Sequence, residues 1–282
     1  MIKIAGMVTL YNPTDDNINN INSYINDVDT LYIIDNTEGK DNKDRLPKNK
    51  KIKYFFRNEN RGVAYALNEA ASHALDDGYK WLLTMDQDTY VRKGVLKKLV
   101  EVIETENMKN IGIVLPWQET KMKLKPVTDG FDYPETVMTS ANIINLSIWK
   151  KVGGFKEWMF IDGIDIEYSF NIRMHSYKIL RVNSVSVDHN LGDIKYKKLF
   201  GKEYLVSNHN YLRRYYIMRN NHYIYDMYAD FSFYLCRDLI TSRYIYRNIL
   251  LFEKDKIRKI VAMRRGLKDY KNGIKGKYPY KR

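Results

Sequence analysis

Asp86-Gln87-Asp88 sets two carboxylates one residue apart, just where the apolar run Trp81-Leu82-Leu83-Thr84-Met85 gives out. Paired acids at such a turn can hold a hard divalent cation that also touches a diphosphate. Asp27-Val28-Asp29 has the same spacing but precedes its apolar run, and reads as a solvated turn. Residues 162–167 gather Asp162, Asp165 and Glu167 at the start of a helical pattern. Acids there suit the helix dipole, and one of them can also serve as general base toward a hydroxyl. His189 follows Val185-Ser186-Val187; it is a surface histidine by itself and an extra ligand beside a carboxylate-bound cation. Asp35, closing Leu31-Tyr32-Ile33-Ile34, can accept from a ring N–H or shape a turn. Arg61-Gly62 offers a cation and helix-entry N–H groups to an anion.

The elements that would carry these residues alternate. Strand patterns fall at 3–9, 31–34, 52–56, 81–85 and 111–115, with helical spacing at 16–25, 63–75 and 93–105 between them. Alternation of this kind predicts an α/β fold with a mostly parallel sheet covered by helices. Thr9, Asp35 and the Asp86–Asp88 pair then sit at strand carboxyl ends, where open sheets collect ligands. Further on, the pattern predicts a strand over 136–146, helices over 147–152 and 164–174, and strands over 177–182 and 184–187.

The chain has 282 residues, one cysteine and a net charge of +13. A lone Cys236 excludes a disulfide framework and cysteine-pair zinc sites. The start, Met1-Ile2-Lys3-Ile4, lacks the pattern of a secretory leader. No apolar run reaches the ~18 residues of a membrane span. No Gly-rich dinucleotide or Walker motif occurs, and no G-x-S-x-G elbow. The charge is localised: residues 195–282 hold 22 Lys and Arg against 7 Asp and Glu. Arg243, Arg247, Lys254 and Arg258 share one face of a continuous helix, with Ile245, Ile249, Phe252, Ile260 and Met263 opposite. A basic amphipathic helix of that kind suits an anionic membrane surface. Nucleic acid is disfavoured, since no nucleic-acid motif accompanies the charge.

In order along the chain, the motifs resemble the inverting family 2 glycosyltransferases of the GT-A fold, in their rhamnosyltransferase-like branch. The matching runs include Val8-Thr9-Leu10-Tyr11-Asn12-Pro13, Ile34-Asp35-Asn36-Thr37, Asn60-Arg61-Gly62-Val63-Ala64, Met85-Asp86-Gln87-Asp88-Thr89, Thr139-Ser140-Ala141-Asn142, Trp149-Lys150-Lys151-Val152-Gly153-Gly154-Phe155, Asp188-His189-Asn190 and Tyr215-Tyr216-Ile217-Met218-Arg219-Asn220, across about residues 4–222. The resemblance implies a GT-A catalytic domain over 1–205 and a basic helical region over 206–282. It implies transfer of a sugar, rhamnose first, from dTDP-rhamnose or a UDP-sugar to a hydroxyl of a lipid-linked or growing cell-surface polysaccharide. Thr9, Tyr11, Asp35, Arg61 and Asp86 would line the nucleotide-sugar pocket. Asp86, Asp88 and His189 would hold Mg²⁺ or Mn²⁺. Asp165 would be the base, with Asp162, Glu167 and Trp149 on the acceptor side. Asn171 departs from the family's usual Arg, and Leu10 widens the opening motif. The protein is expected to be cytoplasmic, peripheral on the inner face of the plasma membrane, with a homodimer among the possible assemblies. A nucleotidyltransferase and a non-catalytic polyanion- or membrane-binding module are the alternatives.

Overall fold

The computed structural model describes residues 2–119, 126, 130–188, 195–241 and 243–280. Its contacts divide the chain into two compact units, Met1–Lys156 with Tyr168–Asn190, and Glu157–Glu167 with Leu191–Arg282. The acidic segment therefore groups with the carboxyl-terminal helices.

The first unit is built on strands β1 (Ala5–Leu10), β2 (Thr30–Asp35), β3 (Ile52–Phe56), β4 (Trp81–Asp86), β5 (Ile111–Glu119), β6 (Phe131–Asp132), β7 (Asn142–Asn145) and β8 (Lys178–Asp188). They form one sheet in the order β3-β2-β1-β4-β7-β5-β8-β6. β1 to β4 run parallel to one another, β7 is antiparallel to both β4 and β5, β5 and β8 are parallel, and β6 closes the far edge antiparallel to β8. The interspersed helices are α1 (Asp15–Asn20), α2 (Val63–Asp76), α3 (Val95–Thr105), α4 (Leu146–Val152) and, from Tyr168 onward, α5 (Ile164–Met174), whose first residues belong to the second unit. α2 packs on β1, β2 and β4, and α3 on β5 and β8. Val8, Leu10, Ile33, Leu83 and Val114 are fully buried in the resulting core. Each such side chain contributes about 1.5–3 kcal/mol of burial, enough to fix the strand ends that matter for the site.

Three departures from the sequence pattern have local causes. The helix expected over 16–25 stops at Asn20 and continues as two 3₁₀ turns. Thr14 and Asn17 cap its start reciprocally, but Ser23 Oγ donates to the Asn20 carbonyl at 2.7 Å, a side-chain competitor for helical bonding. The strand expected over 136–146 is only β7. Upstream of it, Ala141 has φ +60°, and carbonyls 138 to 140 are taken by side chains instead of a ladder. Gln118 Nε2 donates to Met138 and Ser140, and Thr84 Oγ1 to Thr139. The two strands expected over 177–187 are the single β8, with the pairing to β5 shifting between Pro116 and Trp117.

The second unit holds the hairpin β9 (Lys195–Leu199) and β10 (Lys202–Val206), then helices α6 (Tyr211–Tyr228), α7 (Phe233–Ile240), α8 (Arg243–Phe252) and α9 (Lys256–Lys271). α6 and α9 approach closely at Gly266, where a Cβ would stand 2.5 Å from the Tyr215 carbonyl oxygen. The tyrosines pack internally: Tyr215 and Tyr280 both donate to the buried Asp269, at 2.6 and 2.7 Å. The continuous helix expected across 243–258 is absent. α8 ends at Phe252, and Asp255 at φ +53° restarts the chain as α9. Glu253 between them is buried with two cations, which ends the helix there. The expected apolar face is also occupied, since Ile245, Ile249 and Met263 cluster with Met218 of α6. Among the described residues no helix is long and apolar enough to cross a membrane.

Candidate active site

Strand register brings the first group of site residues together. Thr9 pairs with Asp86 across β1 and β4, and Leu10 with Asp35 across β1 and β2. Gln87 straps the two ends: its Oε1 accepts from Tyr11 N at 2.9 Å and its Nε2 donates to Tyr11 O at 3.3 Å. The residue between the aspartates is thus structural, and the acids flank it differently. Asp86 is half-buried, its backbone N–H donating to Ser140 Oγ, which in turn donates to the buried Thr89 hydroxyl at 2.6 Å. Asp88 is exposed. One half-buried and one solvent-facing carboxylate suit Mg²⁺ or Mn²⁺, which take a few carboxylate oxygens and complete their shell with phosphate and water. His189, the third expected ligand, lies outside the described residues. Among the described residues no group of three or more His, Cys, Asp or Glu side chains is placed to hold a metal ion by itself.

Asp35 is fully buried, and its carboxylate meets three protein donors: Thr37 N at 2.9 Å, Asn42 Nδ2 at 2.9 Å and the Tyr54 hydroxyl at 2.7 Å. It shapes the loop after β2. Asn36, which the sequence pattern offers only as a strand stop, holds the neighbouring loops together. Its N–H donates to the Leu10 carbonyl and its Nδ2 to the Gly62 carbonyl, at 2.8 and 3.0 Å. Its buried Oδ1 has no partner among the described residues. Gly62 adopts φ +89° to start α2, and the exposed Arg61 guanidinium lies 3.5 Å over the Tyr65 ring. Trp149 is buried, its indole N–H donating to Asn68 Oδ1. Asn68 Nδ2 donates to the Phe155 carbonyl, so this tryptophan belongs to a clamp across α2, α4 and the loop 153–155.

The second group lies in the other unit, on a contorted turn: Phe160, Asp162 and Gly163 have φ of +68°, +63° and +81°. Positive φ costs energy for a residue with a side chain, so the turn needs support, and α6 supplies it. Asn220 Nδ2 donates to the carbonyls of Met159, Ile161 and Asp162 at 2.8–3.0 Å. Arg219 Nη2 donates to those of Trp158 and Met159. Both side chains are fully buried. Sequence reasoning assigns no role to these two residues or to Arg213; the motif Tyr215–Asn220 contains Arg219 and Asn220, and Arg213 lies outside it.

The three acids end in three different states. Asp162 is ion-paired with Arg213, its side chain 6% exposed. Burial raises its proton affinity and the Arg213 charge opposes that. Glu167 is fully buried and accepts from the Tyr228 hydroxyl at 2.6 Å. Asp165 is half-buried. Burial, against hydrogen bonds from its own helix entry and with the Asp162 charge adding, pushes its pKa up to about 6. A carboxylate with that proton affinity is ionised at neutral pH and still basic enough to take a proton.

The model of the family described as "Glycosyl transferase family 2" matches residues 12–167. The dTDP-rhamnosyl transferase RfbF of Shigella flexneri is 26% identical over 234 residues, which are 77% of this chain and 78% of that protein. The structure of GalNAc-T7 with UDP, GalNAc and Mn²⁺ superimposes with a TM-score of 0.61 at 14% identity, over 97% of this chain. This chain spans only 56% of that one. Residues 1–349 of S. aureus TarS, in complex with UDP-GlcNAc, superimpose with a TM-score of 0.52 at 12% identity, over 97% of this chain and 93% of that one. These likenesses establish the GT-A fold.

Proposed function

The chain belongs to glycosyl transferase family 2, and we propose that it transfers rhamnose from dTDP-rhamnose to a hydroxyl of a lipid-linked or growing cell-surface polysaccharide. The observation that carries this reading is the state of Asp165, set beside the dTDP-rhamnosyl transferase likeness. Asp165 accepts the proton of the acceptor hydroxyl as its oxygen attacks the anomeric carbon, and the nucleoside diphosphate leaves from the opposite face. The product has inverted anomeric configuration. Thr9, Tyr11 and Arg61 bind the nucleotide and its phosphates, Asp35 holds the loop at the base, and Asn36 offers the base an acceptor. Asp86 and Asp88 would hold Mg²⁺ or Mn²⁺, which when bound offsets charge on the diphosphate. Asp162 and Glu167, tied to Arg213 and Tyr228, keep Asp165 oriented.

The protein works at the inner face of the plasma membrane in this reading. Its contact is α7 in place of the expected 243–258 helix. α7 exposes Phe233 and Tyr234, 49% and 72% accessible, with the Arg237 guanidinium 5.8 and 5.3 Å from their rings. Aromatic rings beside a cation suit an anionic lipid interface.

The test is product analysis with dTDP-rhamnose and UDP-sugars, with Mn²⁺ and with EDTA. Nucleoside diphosphate release from dTDP-rhamnose, abolished by EDTA, is expected. Turnover of UDP-sugars alone would overturn the donor assignment, and full turnover in EDTA the cation assignment.

A further inference from the structure

Beside Arg213, which also holds Asp162, the second unit contains a cavity of about 270 Å³. Leu205, Ile217, Tyr244 and Ile245 form its apolar wall; Ser207, His209, Arg214 and Asn248 form the polar one. Behind the polar wall lies a buried charge imbalance. The Glu253 carboxylate accepts from both Arg214 Nη2 at 2.6 Å and Lys259 Nζ at 2.8 Å, and all three side chains are at most 4% exposed. Two cations share one anion, and a surplus positive charge out of water is costly unless another anion meets it.

Unspent donors line the same wall. Arg214 is 3% exposed, and its Nε–H has no partner among the described residues. Arg213 Nη1 lies 3.3 Å from His209 Nδ1. A guanidinium can only donate, so Nδ1 accepts and the ring proton sits on Nε2. The Ser207 hydroxyl accepts from Arg214 at 3.1 Å and keeps its own proton to give. Burial, with the charges of Arg213, Arg214 and Lys259 behind it, pushes the His209 pKa down to about 3.

We propose that this cavity binds a phosphate ester with an apolar body, its phosphate on Arg214 Nε, His209 Nε2 and Ser207 Oγ and its apolar part against Leu205, Ile217, Tyr244 and Ile245. Three donors around one surplus charge match the several acceptor oxygens of a phosphate. The aliphatic and aromatic wall matches an alkyl or aryl substituent rather than free phosphate.

The experiment uses the full chain with isotope-labelled histidine, free of nucleotide and divalent cation. The His209 ring resonance is identified by its loss in His209→Gln and followed by NMR at pH 7 against inorganic phosphate and hexyl phosphate. Saturable shifts with both are expected, with hexyl phosphate roughly tenfold tighter, the gain from burying about two methylenes. Ser207→Ala should weaken both. Equal affinities would overturn the apolar half of the proposal, and no shift up to tens of millimolar of either ligand would overturn all of it. Vesicles of phosphatidylcholine with phosphatidic acid complete the comparison: competition with hexyl phosphate assigns a lipid headgroup, and its absence a soluble ester, the site standing either way. The result is independent of sugar transfer, which is read by nucleotide release.

Discussion

The residues around Asp86 and those around Asp165 are held by opposite means. Thr9, Tyr11, Asp35 and Asp86 occupy the ends of buried parallel strands, and their loops are tied by short hydrogen bonds such as Gln87 to Tyr11 and Asn36 to Leu10. The acidic turn has three residues at positive φ and depends on buried side chains of α6, Asn220 lying 58 residues beyond the Asp162 carbonyl it holds. A scaffold of strand ends tolerates loss of one tie. A strained turn hung on the side chains of Arg219 and Asn220 does not. Placement of the proposed base rests on a helix outside the stretch that the family model matches.

That contrast can be broken in steps. Asp165→Asn should lower turnover by about 10²–10⁴-fold, the usual worth of general acid–base help, as read by nucleoside diphosphate release. Asn220→Ala removes the amide that donates to the Ile161 and Asp162 carbonyls, while Met159 keeps Arg219, and should cost about 1–3 kcal/mol in urea unfolding, with a larger fall in kcat than in donor affinity. Gln87→Ala removes one strap on the strand side and should cost about 1 kcal/mol or less. Equal losses in the last two variants would erase the distinction drawn here.

Two pH effects sharpen it. In the proposed mechanism transfer needs ionised Asp165, so the rate should fall as pH drops through about 6, tenfold per unit below, and level off above. Stability runs the other way. The folded state raises this pKa, so it holds the proton more tightly than the unfolded chain between about 4 and 6, and stability is lost as pH rises through that window. Asp165→Asn should therefore be the more stable protein at pH 7–8, by on the order of 1–3 kcal/mol. A variant that is both inactive and less stable would mean that the carboxylate is structural.

Much of the strand-side group was legible in the sequence because its causes are local. The run 52–56 is strand and 164–174 is helix with the bounds the pattern predicts, since apolar spacing alone decides them. Misreadings arose where a distant side chain intervenes. Nothing near Thr139 says that Gln118 and Thr84 will take the carbonyls around it. Nothing near Glu253 says that Arg214 will bury it and split one helix into two. Asn36 was passed over because a turn-former next to an aspartate looks complete, and its unmet Oδ1 exists only once Leu10 and Gly62 have claimed its donors.

The central claim is that Asp165 takes the acceptor's proton. The measurement that meets it most directly pairs single-turnover sugar transfer with calorimetric binding of the nucleoside diphosphate in Asp165→Asn. Unchanged nucleotide affinity with transfer reduced at least about a hundredfold is the expected result. Transfer at the unmodified rate, or nucleotide affinity lost in step with it, would contradict the account.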